Sequence, residues 1–332
     1  MLRLAICLGC CLSLVACQLH SKADTKETHF LLGTIVDFTV YSDNQEIAAV
    51  AITDAAAQMR QVEAMFTTYG ETKNTVKTFN AAQVFTPVQL DAPVDALLQQ
   101  SLSLMQNYQG SFDPALGQLS LAWGFSTGEA HLHALPSAQV QALLDKSGGV
   151  FVQRVGKGLW QKTKPGVWLD FGAIAKGYAI DMGIQTLQKH GVTSAIINAG
   201  GDMRIMGSHG KNPWKIAIRH PRKVTSLGWL EVRGDNSIVT SGDYERFFIE
   251  DGQRYHHILD PKTGYPSSAS MSVTVLAPTA TLADAVSTAM FVWGPKKGLP
   301  TIENTAGLEA LWLDANAKLV ISSGLVPIFH AL

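Results

Sequence analysis

The sequence predicts an α+β fold, with mixed or antiparallel sheets and flanking helices, on three observations. Strand-like and helix-like stretches follow one another in mixed order, not as a regular βαβα series. No internal repeat and no low-complexity linker divides the chain. Its 332 residues, 46% of them hydrophobic, suffice for one large domain or two modest ones.

The elements follow in order. TIVDFTVY, residues 34–41, alternates with β-rich residues and reads as a strand. Residues 46–65 carry Ala, Ile, Val and Met at helical spacing. FTTYGETKNTVKTFNAA breaks that period and reads as a loop followed by a short helix. A helix over 93–108 has Pro93 at its start. GSFDPALGQLSLAWGF reads as a loop, and 137–145 as a short helix. Residues 167–170 read as a strand and 173–190 as a helix. Lys189 and His190 suit that helix's negative pole, and Gly191 suits its C′ position. A strand at 194–198 would complete a β-α-β unit. Strands are predicted near 214–219, 228–232, 237–241, 245–250 and 271–276, a helix over 281–293, and strands near 309–313 and 318–321. The less regular stretch 110–165 is a candidate smaller lobe.

Net charge is −1 with no basic run, which argues against a nucleic-acid partner. The four cysteines are Cys7, Cys10, Cys11 and Cys17, so the body of the chain has neither a disulfide framework nor a cysteine-ligated metal. Residues 1–16 have Arg3 and then an apolar run too short for a comfortable membrane span, the pattern of a cleaved signal. Leu14-Val15-Ala16-Cys17 resembles a bacterial lipobox, which implies lipidation of Cys17. Acyl chains add membrane affinity at about 0.8 kcal/mol per buried CH₂. Polar residues 17–27 read as the lipidated tether and 28–332 as the folded domain. Such a lipoprotein faces the periplasm. Gln18 is not the aspartate that retains lipoproteins at the inner membrane, so the outer membrane stays open.

Several stretches have the composition of a reactive site. In TLADAVSTAMFVWG, Thr281, Asp284, Ser287 and Thr288 draw a narrow polar stripe on an apolar helix. A buried carboxylate is costly unless paired or metal-bound. Asp284 and Thr288, one turn apart, suit Mg²⁺; the plainer reading is an Asp that accepts backbone N–H bonds. In LDFGAIAKGYAID the turn into a helix offers free N–H groups to an anion, and Lys176 adds a point charge. Asp170 either accepts from a ligand or caps the helix. No Walker loop, GxGxxG, GxSxG or HExxH is present. Gly200-Gly201 allows close backbone approach, and Thr240-Ser241-Gly242 can present hydroxyls. HHILDPKTGYP, residues 256–266, joins two turns to two histidines: a loop that presents an imidazole, or a satisfied surface pair.

Taken together, GSFDPALGQLSLAWGF, LDFGAIAKGYAID, INAGGD, TSGDYERFF, HHILDPKTGYP and TLADAVSTA resemble the ApbE-type FAD:protein FMN transferases, in the same order, from Gly33 to about Gly294. The resemblance implies a single α+β, T-fold-related domain. It implies Mg²⁺-dependent cleavage of FAD at its pyrophosphate, attachment of FMN to a Thr or Ser hydroxyl of a target protein, and release of AMP. Targets of the family include subunits of sodium-pumping NADH:quinone reductase and related electron-transfer complexes, at a motif like D-[GA]-x-[ST]-[ST]-G. These sit at the periplasmic face of the inner membrane. The resemblance places FAD against Leu32, Tyr69, Ser111, Phe112, Asp113, Asp170, Lys176 and Ile258. It places Mg²⁺ on Ala173, Asp284 and Thr288. His257 is the expected general base, because imidazole titrates near neutrality. Asp243 and Asp284 are competing assignments, and His256 is expected to be structural. An Mg²⁺-dependent FAD pyrophosphatase and a non-enzymatic flavin-binding lipoprotein are the alternative functions.

Overall fold

The computed structural model describes residues 22–125 and 133–332. The signal segment, Cys17 and Gln18 lie outside the described residues.

The chain opens with a hairpin, β1 (Ala23–Leu31) and β2 (Thr34–Ser42), then α1 (Gln45–Phe66) and α2 (Thr75–Ala81). After β3 (Val88–Gln89) come α3 (Ala92–Asn107), α4 (Gly117–Ala122) and α5 (Ser137–Leu144), then the hairpin β4 (Val152–Gly156) and β5 (Leu159–Lys162). Helix α6 (Ala175–Lys189) leads into β6 (Ala195–Ala199), β7 (Asp202–Met206), β8 (Trp214–Arg219), β9 (Ser226–Val232) and β10 (Asn236–Gly242). A small hairpin, β11 (Phe247–Glu250) and β12 (Gln253–His256), precedes β13 (Ser270–Ala277). Helix α7 (Ala280–Glu303), β14 (Glu309–Asp314), β15 (Leu319–Ile321) and β16 (Phe329–Ala331) complete the chain.

The central sheet has eight strands in the order β1-β2-β6-β7-β10-β13-β14-β15, each paired antiparallel with its neighbour. One face carries α1, α6 and α7. There Phe38, Ala51, Met59, Ile184 and Val286 join a single large core. On the other face the sheet β16-β9-β8 packs Ile216, Ile218 and Leu230 against Ile205, Ile238 and Leu311 of the central sheet. The structure is therefore three-layered: helices, large sheet, small sheet. The 110–165 stretch contributes a satellite core around fully buried Trp123, joined by Leu119, Phe125, Val140, Phe248 and Leu259. Its indole N–H donates to the Gly264 carbonyl (2.9 Å) and fastens the HHILDPKTGYP turns to this lobe.

Four expectations need correction. Residues 23–27 are not tether: β1 pairs with β2 from Ala23↔Ser42 to Leu31↔Thr34. It is an edge strand, and its charged residues mask the strand pattern. Residues 167–170 form no strand; Trp168 makes one isolated bridge to Leu116, so there is no β-α-β unit. The GSFDPALGQLSLAWGF stretch is not all loop, because α4 runs through it. The predicted 281–293 helix is the straight first part of α7. Gly294 leaves helical geometry (φ 66°) and Pro295 opens a second segment.

Candidate active site

The ends of these elements enclose a cavity of about 740 Å³, within the usual range for small-molecule sites. Each FAD-contact and metal position that the resemblance assigns between Leu32 and Thr288 lines it, and so does His257. Leu32 comes from the β1–β2 turn, where it takes a positive φ of 56° beside Gly33. Tyr69 follows α1 and is 40% exposed. Ser111, Phe112 and Asp113 follow α3; Asp170, Ala173 and Lys176 surround the start of α6; His257 and Ile258 follow β12; Asp284 and Thr288 project from α7.

The floor is electrostatic. Lys176 Nζ lies 2.5 Å from Asp202 Oδ2. Burial works against the ammonium, but the charges of Asp202 and Asp284 outweigh it and hold the pKa of Lys176 up. Asp202 Oδ1 also accepts from Thr240 N (3.1 Å). Asp284 is 5% exposed, and its Oδ2 accepts from Gly177 N (2.9 Å). That bond requires glycine: a Cβ at Gly177 would sit 2.1 Å from the Ala280 carbonyl oxygen, so α6 and α7 meet backbone to backbone. Burial first, then the charge of Asp202, pushes the Asp284 carboxyl up to about 7. The Lys176 ammonium and the Gly177 N–H pull the other way without offsetting these two effects.

Among the described residues no three His, Cys, Asp or Glu side chains converge as a metal cage. The three positions that the resemblance assigns to the metal, Ala173, Asp284 and Thr288, all line the cavity, and they can offer a carbonyl, a buried carboxylate and a hydroxyl. That set fits a hard divalent cation whose other ligands are water and phosphate. The polar stripe of α7 thus divides. Asp284 and Thr288 face the cavity. Thr281 Oγ1 donates to Asp181 Oδ2 (2.6 Å), and Ser287 Oγ bonds Ser241 Oγ (2.8 Å) and the Asp284 carbonyl (2.9 Å). Asp181 accepts from Ala280 N and Thr281 N as well, capping α7 from α6.

The other carboxylates are more structural than reactive. Asp113 accepts from Ala115 N (2.8 Å) and Gly149 N (2.9 Å), and burial raises its pKa. Asp170 Oδ1 accepts from Gly172 N (2.8 Å); burial raises it, and Gly172 and Arg246 partly oppose that. Asp243, a competing base, does not line the cavity; it is held by Arg222 at 2.7 and 2.5 Å.

The two histidines separate cleanly. His256 is buried, its Nε2 donates to the Ser267 carbonyl (2.8 Å), and its Nδ1 accepts from Ile258 N (3.3 Å). It is structural, and it leaves Ile258 only its side chain and a carbonyl that already accepts from Ser267 N. His257 is half-buried and lines the cavity, and its enclosed Nδ1 has no hydrogen-bond partner among the described residues. Burial, His256, Arg246 and Lys176 depress its pKa to about 3. Sequence reasoning missed Asp202, Glu245 and Arg246 as lining residues, although all three lie inside the INAGGD and TSGDYERFF motifs.

Known proteins share this sequence pattern and fold. The sequence pattern of the ApbE family matches residues 32–312. An FAD:protein FMN transferase of Treponema pallidum is 32% identical over 89% of this chain and 86% of its own. One of Rhodobacter capsulatus is 32% identical over 87% of this chain, which spans only 55% of that longer protein. The crystal structure of the ApbE protein of Thermotoga maritima superposes with a TM-score of 0.84 at 32% identity, covering 93% of this chain and 100% of that one. Pseudomonas stutzeri flavinyl transferase ApbE gives 0.81 at 28%, covering 95% and 99%. With the fold and the family's sequence pattern in agreement over that span, the chain belongs to the ApbE family.

Proposed function

We propose that this protein is an Mg²⁺-dependent FAD:protein FMN transferase acting on a Ser or Thr hydroxyl of a target flavoprotein. One observation carries the reading. A single cavity holds a buried carboxylate whose pKa is raised (Asp284), an ammonium (Lys176) and an imidazole (His257). Those are the needs of phosphoryl transfer from a dinucleotide: charge neutralisation, positioning and a base.

Mg²⁺, held by Asp284, Thr288 and the Ala173 carbonyl, would supply charge neutralisation at the pyrophosphate. The remaining work falls to the chain. The acceptor hydroxyl oxygen bonds to the phosphorus on the FMN side, the P–O bond to the AMP half breaks, and AMP leaves with the bridging oxygen. The hydroxyl proton passes to the imidazole of His257. An imidazole at about 3 is a weak base, but two of its depressing neighbours, Lys176 and Arg246, are cations. The dianionic pyrophosphate offsets both charges, so substrate binding raises the basicity of His257 where it is needed. Leu32 and Tyr69 supply apolar and aromatic surface for the isoalloxazine end.

The lipobox-like Cys17 fits an enzyme tethered at the periplasmic face of a membrane, where targets such as subunits of sodium-pumping NADH:quinone reductase present the acceptor motif. The test is incubation with FAD, Mg²⁺ and a purified target domain, followed by in-gel fluorescence and chromatography of free nucleotides. A fluorescent target band with equimolar AMP is expected. FMN and AMP without a labelled band would instead show a pyrophosphatase, and FAD left intact a binder.

A further inference from the structure

The β11–β12 hairpin projects beside the cavity, and its root, Glu245 and Arg246, lines the cavity itself. Its inward residue Phe248 is buried in the satellite core. Its outward residues are not: Ile249 is 58% exposed, and Phe247 is exposed beneath the Arg254 guanidinium, 3.7 Å from its ring centroid. Arg254 also donates to the backbone of Asp243, whose carboxylate holds Arg222. This ties the hairpin to the loop between β8 and β9, where Lys223 and fully exposed Val224 stand.

The charge left without an ion pair on this face is mostly positive. Lys223, Arg246 and Arg254 form no ion pair with a carboxylate among the described residues. Of the acids nearby, Asp243 engages Arg222, Glu245 approaches Arg219 (3.9 Å) and Glu250 takes Ala134 N and His133, while Asp251 stands exposed at the hairpin tip. Crowding of like charge is felt locally: besides burial, Arg222 depresses Arg254, and Lys223 and Arg222 depress His220. Unpaired cations interleaved with exposed apolar side chains make a surface for an anionic partner that also carries apolar groups.

Continuity with the cavity decides which partner. A chain lying along the hairpin runs down to Arg246 and can deliver a side chain inside, whereas a bilayer on this face would only cap the opening. We infer that the β11–β12 hairpin and the Lys223–Val224 loop dock an acidic, apolar-containing segment of the polypeptide that receives the flavin. The inference rests on the transferase reading for the identity of that polypeptide, but the surface can be tested without turnover.

The probes are two fluorescent peptides of about 20 residues with one central threonine, one flanked by Asp, Glu and Leu, the other with Asn and Gln in place of the acids. Anisotropy is read with wild type and with the double variant Lys223→Glu/Ile249→Ser, both sites lying outside the cavity. The acidic peptide should bind wild type about tenfold more tightly than its neutral twin. It should lose that advantage in the variant and in about 0.5 M salt, while FAD affinity stays constant. Lys223→Arg should keep it. Equal binding of the two peptides, or an unimpaired double variant, overturns the inference. So does a variant that loses only its binding to phosphatidylglycerol vesicles, which would make the face a membrane contact. Wild-type transfer efficiency to a target domain in the double variant would also overturn it and leave the transferase reading intact. Peptide docking with no flavin transfer to any acceptor would sink that reading and leave the surface standing.

Discussion

Replacing Asp284 by Asn should make the metal-free protein more stable and abolish its response to Mg²⁺. Asp284 is 5% exposed, and its carboxyl titrates at about 7, against 3.8 for an ordinary aspartate. At about 1.4 kcal/mol per unit, ionising it inside the fold costs on the order of 4 kcal/mol. The sign follows from linkage. The folded pKa is raised, so the folded state holds a proton that the unfolded chain has lost between about pH 4 and 7. Stability is therefore lost as pH rises through that window, and the full penalty stands above it. Asparagine is isosteric, can still accept from Gly177 N, and carries no charge.

At pH 8 without metal, Asp284→Asn should exceed wild type by up to roughly 4 kcal/mol, a rise in Tm of roughly 8 °C. At pH 5 the gap should narrow to under about 2 kcal/mol. Mg²⁺ at about 100 times its Kd should add about 2.7 kcal/mol to wild type and nothing to the variant. Differential scanning calorimetry at both pH values, with EDTA or Mg²⁺, measures all of this. A stability gap that does not change with pH would refute the buried-charge argument. Equal Mg²⁺ stabilisation of the two proteins would refute Asp284 as a ligand.

The remaining expectations are local. His257→Asn should lower FMN transfer by roughly 10²–10⁴-fold with FAD affinity unchanged; transfer near the wild-type rate would remove His257 as the base. Gly177→Ala puts a methyl 2.1 Å from the Ala280 oxygen and should cost about 3 kcal/mol in urea unfolding, with loss of the Asp284 contact. An unchanged midpoint would show that α6 and α7 can part freely. Asp181→Ala removes three hydrogen bonds from the start of α7 and should destabilise by on the order of 3 kcal/mol, measured the same way.

What the sequence reveals here, and what it hides, has a physical basis. Helices α1, α3 and α6 were legible because each buries one stripe of apolar residues, a local signal with a fixed period. Strand β1 was not, because an edge strand that carries Lys26, Glu27 and His29 looks like a polar tether until β2 pairs with it. Trp168 reads as strand by composition, yet its backbone meets Leu116 at a single bridge, and residue types do not encode that partner. The motifs located the cavity, since every FAD-contact and metal position that the resemblance assigns, and His257, lines it. They did not sort its members. In α7, Asp284 and Ser287 look alike as polar residues on an apolar helix; only Ser241 and Asp202, far away along the chain, make one hydroxyl structural and push the carboxyl's pKa up. The same holds for Asp202, whose importance comes from Lys176, 26 positions earlier, set beside it by the packing of α6 on the sheet. Charge balance in a buried site is a property of pairs, and pairs separated by a fold's length of chain leave no local trace in either partner.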